Sequence, residues 1–409
     1  MDDIIPSRLG TPAPLPFYIA ATLHTYGQAI AALQHGASPP GISGPDADRF
    51  ALLRDQTSIP RIQAVSADRM REMLDGINKW HRHPFTRKPK DPPEIWAQGA
   101  TRLIDHGATR ANAPVILVVP SLINRPWILD LLPGASFMDW LRDAGLRPVL
   151  LDWGLPGADE AEFSVSDYVS RRMIPAARHL IAQTGAPISV LGYCMGGTMS
   201  LALAAELGPD IARLGLIGTP WDFDSLSGEA AHLRQVFEPQ DGAFLQAQIQ
   251  SAMGDTARIP ADFFQFLFAL IAPLQAARKF RRFNRLPQDS PAAQKFVAVE
   301  EWLNDPVPVT MPATLELLIE WFHNNRTGDG NWAPVGQPVS PSTITAPTLL
   351  ISGTRDHIAP PGCSAPLAAQ IPDARSLQID TGHVGLIVGS AAETQVAKPL
   401  SHHFLGHGG

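Results

Sequence analysis

An α/β fold built on a mostly parallel, doubly wound sheet is predicted by three features of the 409-residue sequence. Short runs rich in branched aliphatic residues recur from residue 114 onward, and helical spacing fills the gaps between the first four of them. A glycine-flanked hexapeptide, GYCMGG, stands at one of the strand-to-helix junctions.

Residues 1–110 read as a helical region. FYIAATLHTYGQAIAALQHG (17–36) and ADRMREMLDGINKWHRHP (67–84) carry apolar residues at helical spacing. The pattern then changes. PVILVVP (114–120), RPVLLDW (147–153), PISVLG (187–192), LGLIGTP (214–220), PTLLISG (347–353) and RSLQID (375–380) are the runs expected of strands buried on both faces. SFMDWLRDAG (136–145) and VSDYVSRRMIPAARHLIAQTG (165–185) are helical connections between them. Residues 222–340 break the alternation with aromatic-rich pieces such as PADFFQFLFALIAPLQAARKF (260–280) and TLELLIEWFHNNR (314–326). An insertion of that kind between two strands predicts a cap. The expected organisation is a helical region over 1–110, a catalytic core over 111–221 and 341–409, and a cap over 222–340.

Composition narrows the function. A net charge of −7 supplies no basic field to neutralise phosphates, so nucleic acid is not an expected partner. The one basic run, HRHPFTRKPK (81–90), is broken by prolines and reads as a solvated loop. The opening MDDIIPSRLG has no apolar stretch of signal-peptide length, and nowhere do eighteen apolar residues run together, so no membrane span is expected. The two cysteines, Cys194 and Cys363, cannot build a disulfide framework and lack metal-ligand spacing. A reducing cytoplasm fits, and no metal site is expected.

GYCMGG follows a predicted strand and opens a predicted helix. That is the G-x-S-x-G nucleophile elbow of the α/β-hydrolase fold with a cysteine, Cys194, in the serine's place. The sharp turn exposes the thiol, and the helix N-terminus favours its anion. The fold requires an acid and then a histidine, each just after a later strand. Asp356 follows PTLLISG and His383 follows RSLQID, in that order. Asp152, Asp222 and Asp224 are rival acids, since they also follow strands. For the oxyanion the expected donors are the N–H of Met195 and one from the loop after 114–120, at Leu122 or Ile123. His357, beside the acid, either touches the site or merely packs. A thiol attacking a thioester yields another thioester, so the residue type suits acyl transfer from an acyl-CoA better than ester hydrolysis.

Phrases beyond the elbow sharpen this. VPSLINRPWILDLLPGASFMDWLRDAGLRPVLLDWGLPG, GYCMGG, GTPWDF, GTRDHIAPP and TGHVGLIVG follow one another between about residues 93 and 400, and in that order they resemble the polyhydroxyalkanoate synthases. The resemblance implies a triad of Cys194, Asp356 and His383. It implies polymerisation of 3-hydroxyacyl-CoA into polyester with release of CoA, and no cofactor beyond the acyl-CoA substrate. It further implies a homo-oligomer on cytoplasmic polyester granules, working alone or with an activator subunit. The alternatives are a cysteine hydrolase, either a thioesterase or an intracellular polyester depolymerase, and a non-catalytic granule-associated relative.

Overall fold

The computed structural model describes residues 15–35, 48, 59–237, 240–254, 256–272, 274–305 and 307–406; the opening decapeptide read for a leader lies outside them. The chain divides into two compact units, one of residues 1–87 with 265–304 and one of 88–264 with 305–409.

The second unit is organised by an eight-stranded sheet. Its strands are β1 Glu94–Gln98, β2 Thr101–Asp105, β3 Val115–Val119, β4 Arg147–Asp152, β5 Ile188–Tyr193, β6 Ile211–Ile217, β7 Thr348–Gly353 and β8 Ala374–Ile379. They lie side by side in the order β1-β2-β4-β3-β5-β6-β7-β8. The pairs from β4 through β8 are parallel, whereas β1 with β2 and β2 with β4 are antiparallel. Every residue of β3, β5 and β7 is buried, which is why their sequences are nearly continuous aliphatic runs. β1 and β2 form a hairpin within the stretch expected to be helical. They escape the period-3.6 reading because β1 is an exposed edge strand with polar residues at both ends.

Helices connect the parallel strands. Phe137–Asp143 is opened by Ser136, whose hydroxyl accepts the Asp139 N–H at 3.0 Å. Ser164 and Asp167 form a reciprocal capping box ahead of the long helical run that ends at Thr184, where Gly185 turns left-handed at φ 65°. Such chemistry fixes where each helix begins and ends, and so returns the chain to the sheet in register. Among the described residues no helix is long and apolar enough to cross a membrane.

The first unit draws its two halves from distant parts of the chain. Met73, Ile77 and Trp80 of helix Ile59–His81 bury against Ala277, Phe280 and Phe283 of helix Gln275–Asn284 and against Ala293 and Val297 of helix Pro291–Leu303. Lys79 donates to the carbonyls of Asn284 and Leu286, at 3.1 and 2.5 Å, and so occupies acceptors left open at a helix C-terminus. Residues 265–304, expected within the cap, therefore share a core with residues from the N-terminal region. Phe280 is fully buried between Trp80 and Phe296, edge-on to both. Phe280→Ala is expected to cost about 3–5 kcal/mol, lost burial plus the cavity left behind. Urea unfolding checks this, and an unchanged midpoint contradicts it.

Candidate active site

Cys194 lies between β5 and the helix Met195–Leu207, with φ 56° and ψ −130°. A side chain held at positive φ is strained, and surrounding bonds must hold it there. The Cys194 N–H donates to the Ile217 carbonyl of β6 at 2.8 Å, and the Cys194 carbonyl accepts the Gly197 N–H at 2.8 Å. The turn is also too tight for larger neighbours. A Cβ on Gly192 would sit 2.4 Å from the Gly197 Cα, and one on Gly197 would sit 1.9 Å from Thr219 Oγ1. The glycines therefore let strand, helix and the β6 exit converge, which leaves the thiol half-buried at the head of a 13-residue helix.

The loops after β7 and β8 are joined to each other. Thr354 N–H donates to the Ile379 carbonyl at 2.8 Å and Arg355 N–H to the Thr381 carbonyl at 3.0 Å. This brings Asp356 and His383 together, both buried, with His383 Nδ1 donating to Asp356 Oδ2 at 2.6 Å. The other carboxylate oxygen accepts the N–H groups of Ile358 and Ala359 at 2.8 and 2.9 Å. Three donors thus fix the carboxylate. Cys194 lies near enough to His383 for its charge to bear on the imidazole. Burial by itself would lower the affinity of His383 for a proton, but the Asp356 and Cys194 charges outweigh it and raise its pKa well above that of an ordinary histidine. A base so placed can take the thiol proton and retain it.

The rival acids are engaged elsewhere. Asp152 pairs with Arg102 and accepts the Gly154 N–H. Asp222 accepts from Asn325 Nδ2 at 2.9 Å and from Ser225 Oγ at 2.6 Å, and Asp224 pairs with Arg234. His357 is exposed to solvent, whereas Asp356 and His383 are buried.

Met195 is the first residue of the helix, and the loop after β3 runs beside it, with Ser121 Oγ 3.9 Å from Met195 Sδ. Of the two loop donors expected for the oxyanion, the Ile123 N–H is taken by Ser121 Oγ at 3.1 Å, while Leu122 lies buried in the same loop. How this loop is held has no local sequence signal. Asn124 adopts φ 71°, and beyond it Arg125 Nε and Trp127 Nε1 reach the Asp305 carboxylate at 3.4 and 2.9 Å. Asparagine tolerates the left-handed region better than most residues, which is the one local hint of a turn there. The partner Asp305 is 180 residues from Arg125.

A nucleophile at a strand-to-helix elbow, followed along the chain by an acid and a histidine on adjacent strand ends, defines a class. Residues 156–390 match the model of the family described as alpha/beta hydrolase fold, and the chain belongs to that family. Within it, the similarity runs to poly(3-hydroxyalkanoate) polymerase subunits PhaC. The chain is 30% identical to that of Haloferax mediterranei over 326 residues, covering 77% of this chain and 64% of the relative. It is 32% identical to that of Haloarcula marismortui, covering 69% and 58% respectively. It is 27% identical to that of Allochromatium vinosum, covering 72% and 81%. The matched segment thus spans less than two thirds of the first two relatives' length.

Proposed function

We propose that the chain is an acyltransferase of the polyhydroxyalkanoate synthase type, polymerising 3-hydroxyacyl-CoA with release of CoA through an acyl-enzyme on Cys194. The observation that carries the reading is a cysteine at the elbow, facing a histidine that a buried carboxylate orients, in a chain similar to polymerase subunits. His383 takes the Cys194 proton, and the thiolate attacks the thioester carbonyl. The tetrahedral oxyanion is held by backbone N–H groups, with Met195 and Leu122 as the donors of choice. Its collapse breaks the carbon–sulfur bond to CoA, and the CoA thiolate leaves with the proton from His383. The 3-hydroxyl of a second unit then attacks the Cys194 thioester, giving its proton to His383. An ester bond forms, and the Cys194 thiolate is released.

Cysteine suits this cycle because the first step exchanges one thioester for another of similar energy, so the acyl group stays reactive toward the incoming hydroxyl. The same reading includes a homo-oligomer on the surface of its own polyester in the cytoplasm, with or without an activating second subunit.

The test is incubation of the purified protein with 3-hydroxybutyryl-CoA, following free thiol and product together. CoA release accompanied by insoluble polyester is expected. Soluble 3-hydroxybutyrate in amounts equal to the CoA released would overturn polymerisation in favour of hydrolysis.

A further inference from the structure

We infer that Tyr193, the residue immediately before Cys194, is a positioning residue whose ring face fixes the tilt of the His383 imidazole and favours its protonated form. The inference rests on the reading of Cys194 and His383 as the reacting pair. Nothing in the G-x-C-x-G pattern demands an aromatic residue at this position, yet the Tyr193 and His383 rings stack with centroids 5.2 Å apart and planes 28° from parallel.

His383 stands on a loop, and its bond to Asp356 holds one ring edge only. A ring hinged on that single bond can still roll about the line joining Nδ1 to the carboxylate. A flat wall against its face removes the roll, and with it the loss of aim at the thiol. Tyr193 is suited to be that wall. It is the last residue of β5, paired in the ladder with Ile217 of β6, and 4% exposed. Its backbone is therefore held by the sheet rather than by a loop.

The ring also acts electrostatically. When Cys194 gives up its proton, His383 becomes a cation lying over an aromatic face, an attraction that strengthens as water is excluded. The charged and titratable groups facing His383 are Asp356 from the β7 loop and Cys194 from the helix head. The β6 exit presents Gly218, which has no side chain. Burial foremost, with the Cys194 and Asp356 charges added, pushes the Tyr193 phenol well above its ordinary pKa, so it remains a neutral ring throughout. Its hydroxyl lies 3.5 Å from the His383 carbonyl, at the outer limit of a hydrogen bond. The ring face, rather than the hydroxyl, carries the role.

The experiment is the rate of Cys194 alkylation by iodoacetamide as a function of pH, read by peptide mass, in the native chain and in Tyr193→Phe, Tyr193→Leu and His383→Gln. Cys363 is fully buried, and the mass of the labelled peptide separates the two thiols. Tyr193→Phe should keep the native profile. Tyr193→Leu should react roughly 3- to 30-fold more slowly at neutral pH. It should match the native rate near pH 10, where a thiol of ordinary pKa, about 8.5, ionises without help. A Tyr193→Leu profile superimposable on the native one overturns the inference, as does a rate depressed equally at every pH. If instead the native chain and His383→Gln react alike at neutral pH, the reacting pair itself is wrong, and the inference falls with it.

Discussion

Cys194→Ala is expected to lower acyl-CoA turnover by on the order of 10⁶ in kcat while the chain stays folded. The loss is large because both halves of the proposed cycle pass through the same sulfur. The fold should survive because the strain at Cys194 belongs to the backbone, at φ 56°, and alanine carries the same Cβ. Every bond that holds the turn, from the Cys194 N–H to Ile217 and from Gly197 back to the Cys194 carbonyl, is main-chain. Cys363 supplies the contrast. It is fully buried, and burial pushes its thiol up to about 12, so it is a thiol at neutral pH and an inert packing group. Cys363→Ser should therefore leave the intrinsic rate of properly folded protein in place. Assays of CoA release beside circular dichroism separate the outcomes. Turnover retained in Cys194→Ala, with native ellipticity, sinks the nucleophile assignment.

How much of this was legible beforehand follows from what each element buries. The runs at 114–120, 187–192 and 347–353 became β3, β5 and β7 because strands covered on both faces leave continuous aliphatic sequence. The β1–β2 hairpin left no such trace. Its turn is held instead by the Ala100 N–H donating to Glu160 at 3.1 Å, and Glu160 is itself buried against Arg172 at 2.6 Å. A contact sixty residues away has no local periodicity to betray it. The same reason hid the union of Met73, Ile77 and Trp80 with Phe280 and Phe283, since amphipathic spacing shows that a helix has a partner without showing which. At the site, strand-end placement points to Asp356 and His383 and leaves Asp152 as a rival, which its pairing with Arg102 removes. Backbone donors have no side-chain signature, so Leu122 and Ile123 could be told apart only by finding the Ser121 hydroxyl on the Ile123 N–H. Tyr193 sat inside the motif, in a position whose residue type the turn geometry leaves open.

Asp356→Asn should leave the site assembled and still reduce kcat by roughly 10⁴. The two main-chain donors, from Ile358 and Ala359, can bond the amide oxygen as they do the carboxylate. The amide nitrogen then faces His383 Nδ1, which must accept rather than donate. That places the imidazole proton on Nε2, the nitrogen left to meet the thiol, and a nitrogen already carrying a proton cannot take another from sulfur. The substitution also acts on stability. In the native chain burial lowers the His383 pKa, but the Asp356 and Cys194 charges more than offset this and hold it well above its unfolded value of about 6.5. A pKa raised by folding contributes stability that is fully present below the unfolded value and fades as pH rises through the folded one. With the Asp356 charge gone, burial opposes protonation with less to balance it. The stability gap between native and Asp356→Asn chains should thus be widest at pH 6.5 and below, and should narrow on the alkaline side. Urea unfolding across pH measures it. A gap that widens with rising pH would mean that Asp356 does not hold the proton on His383.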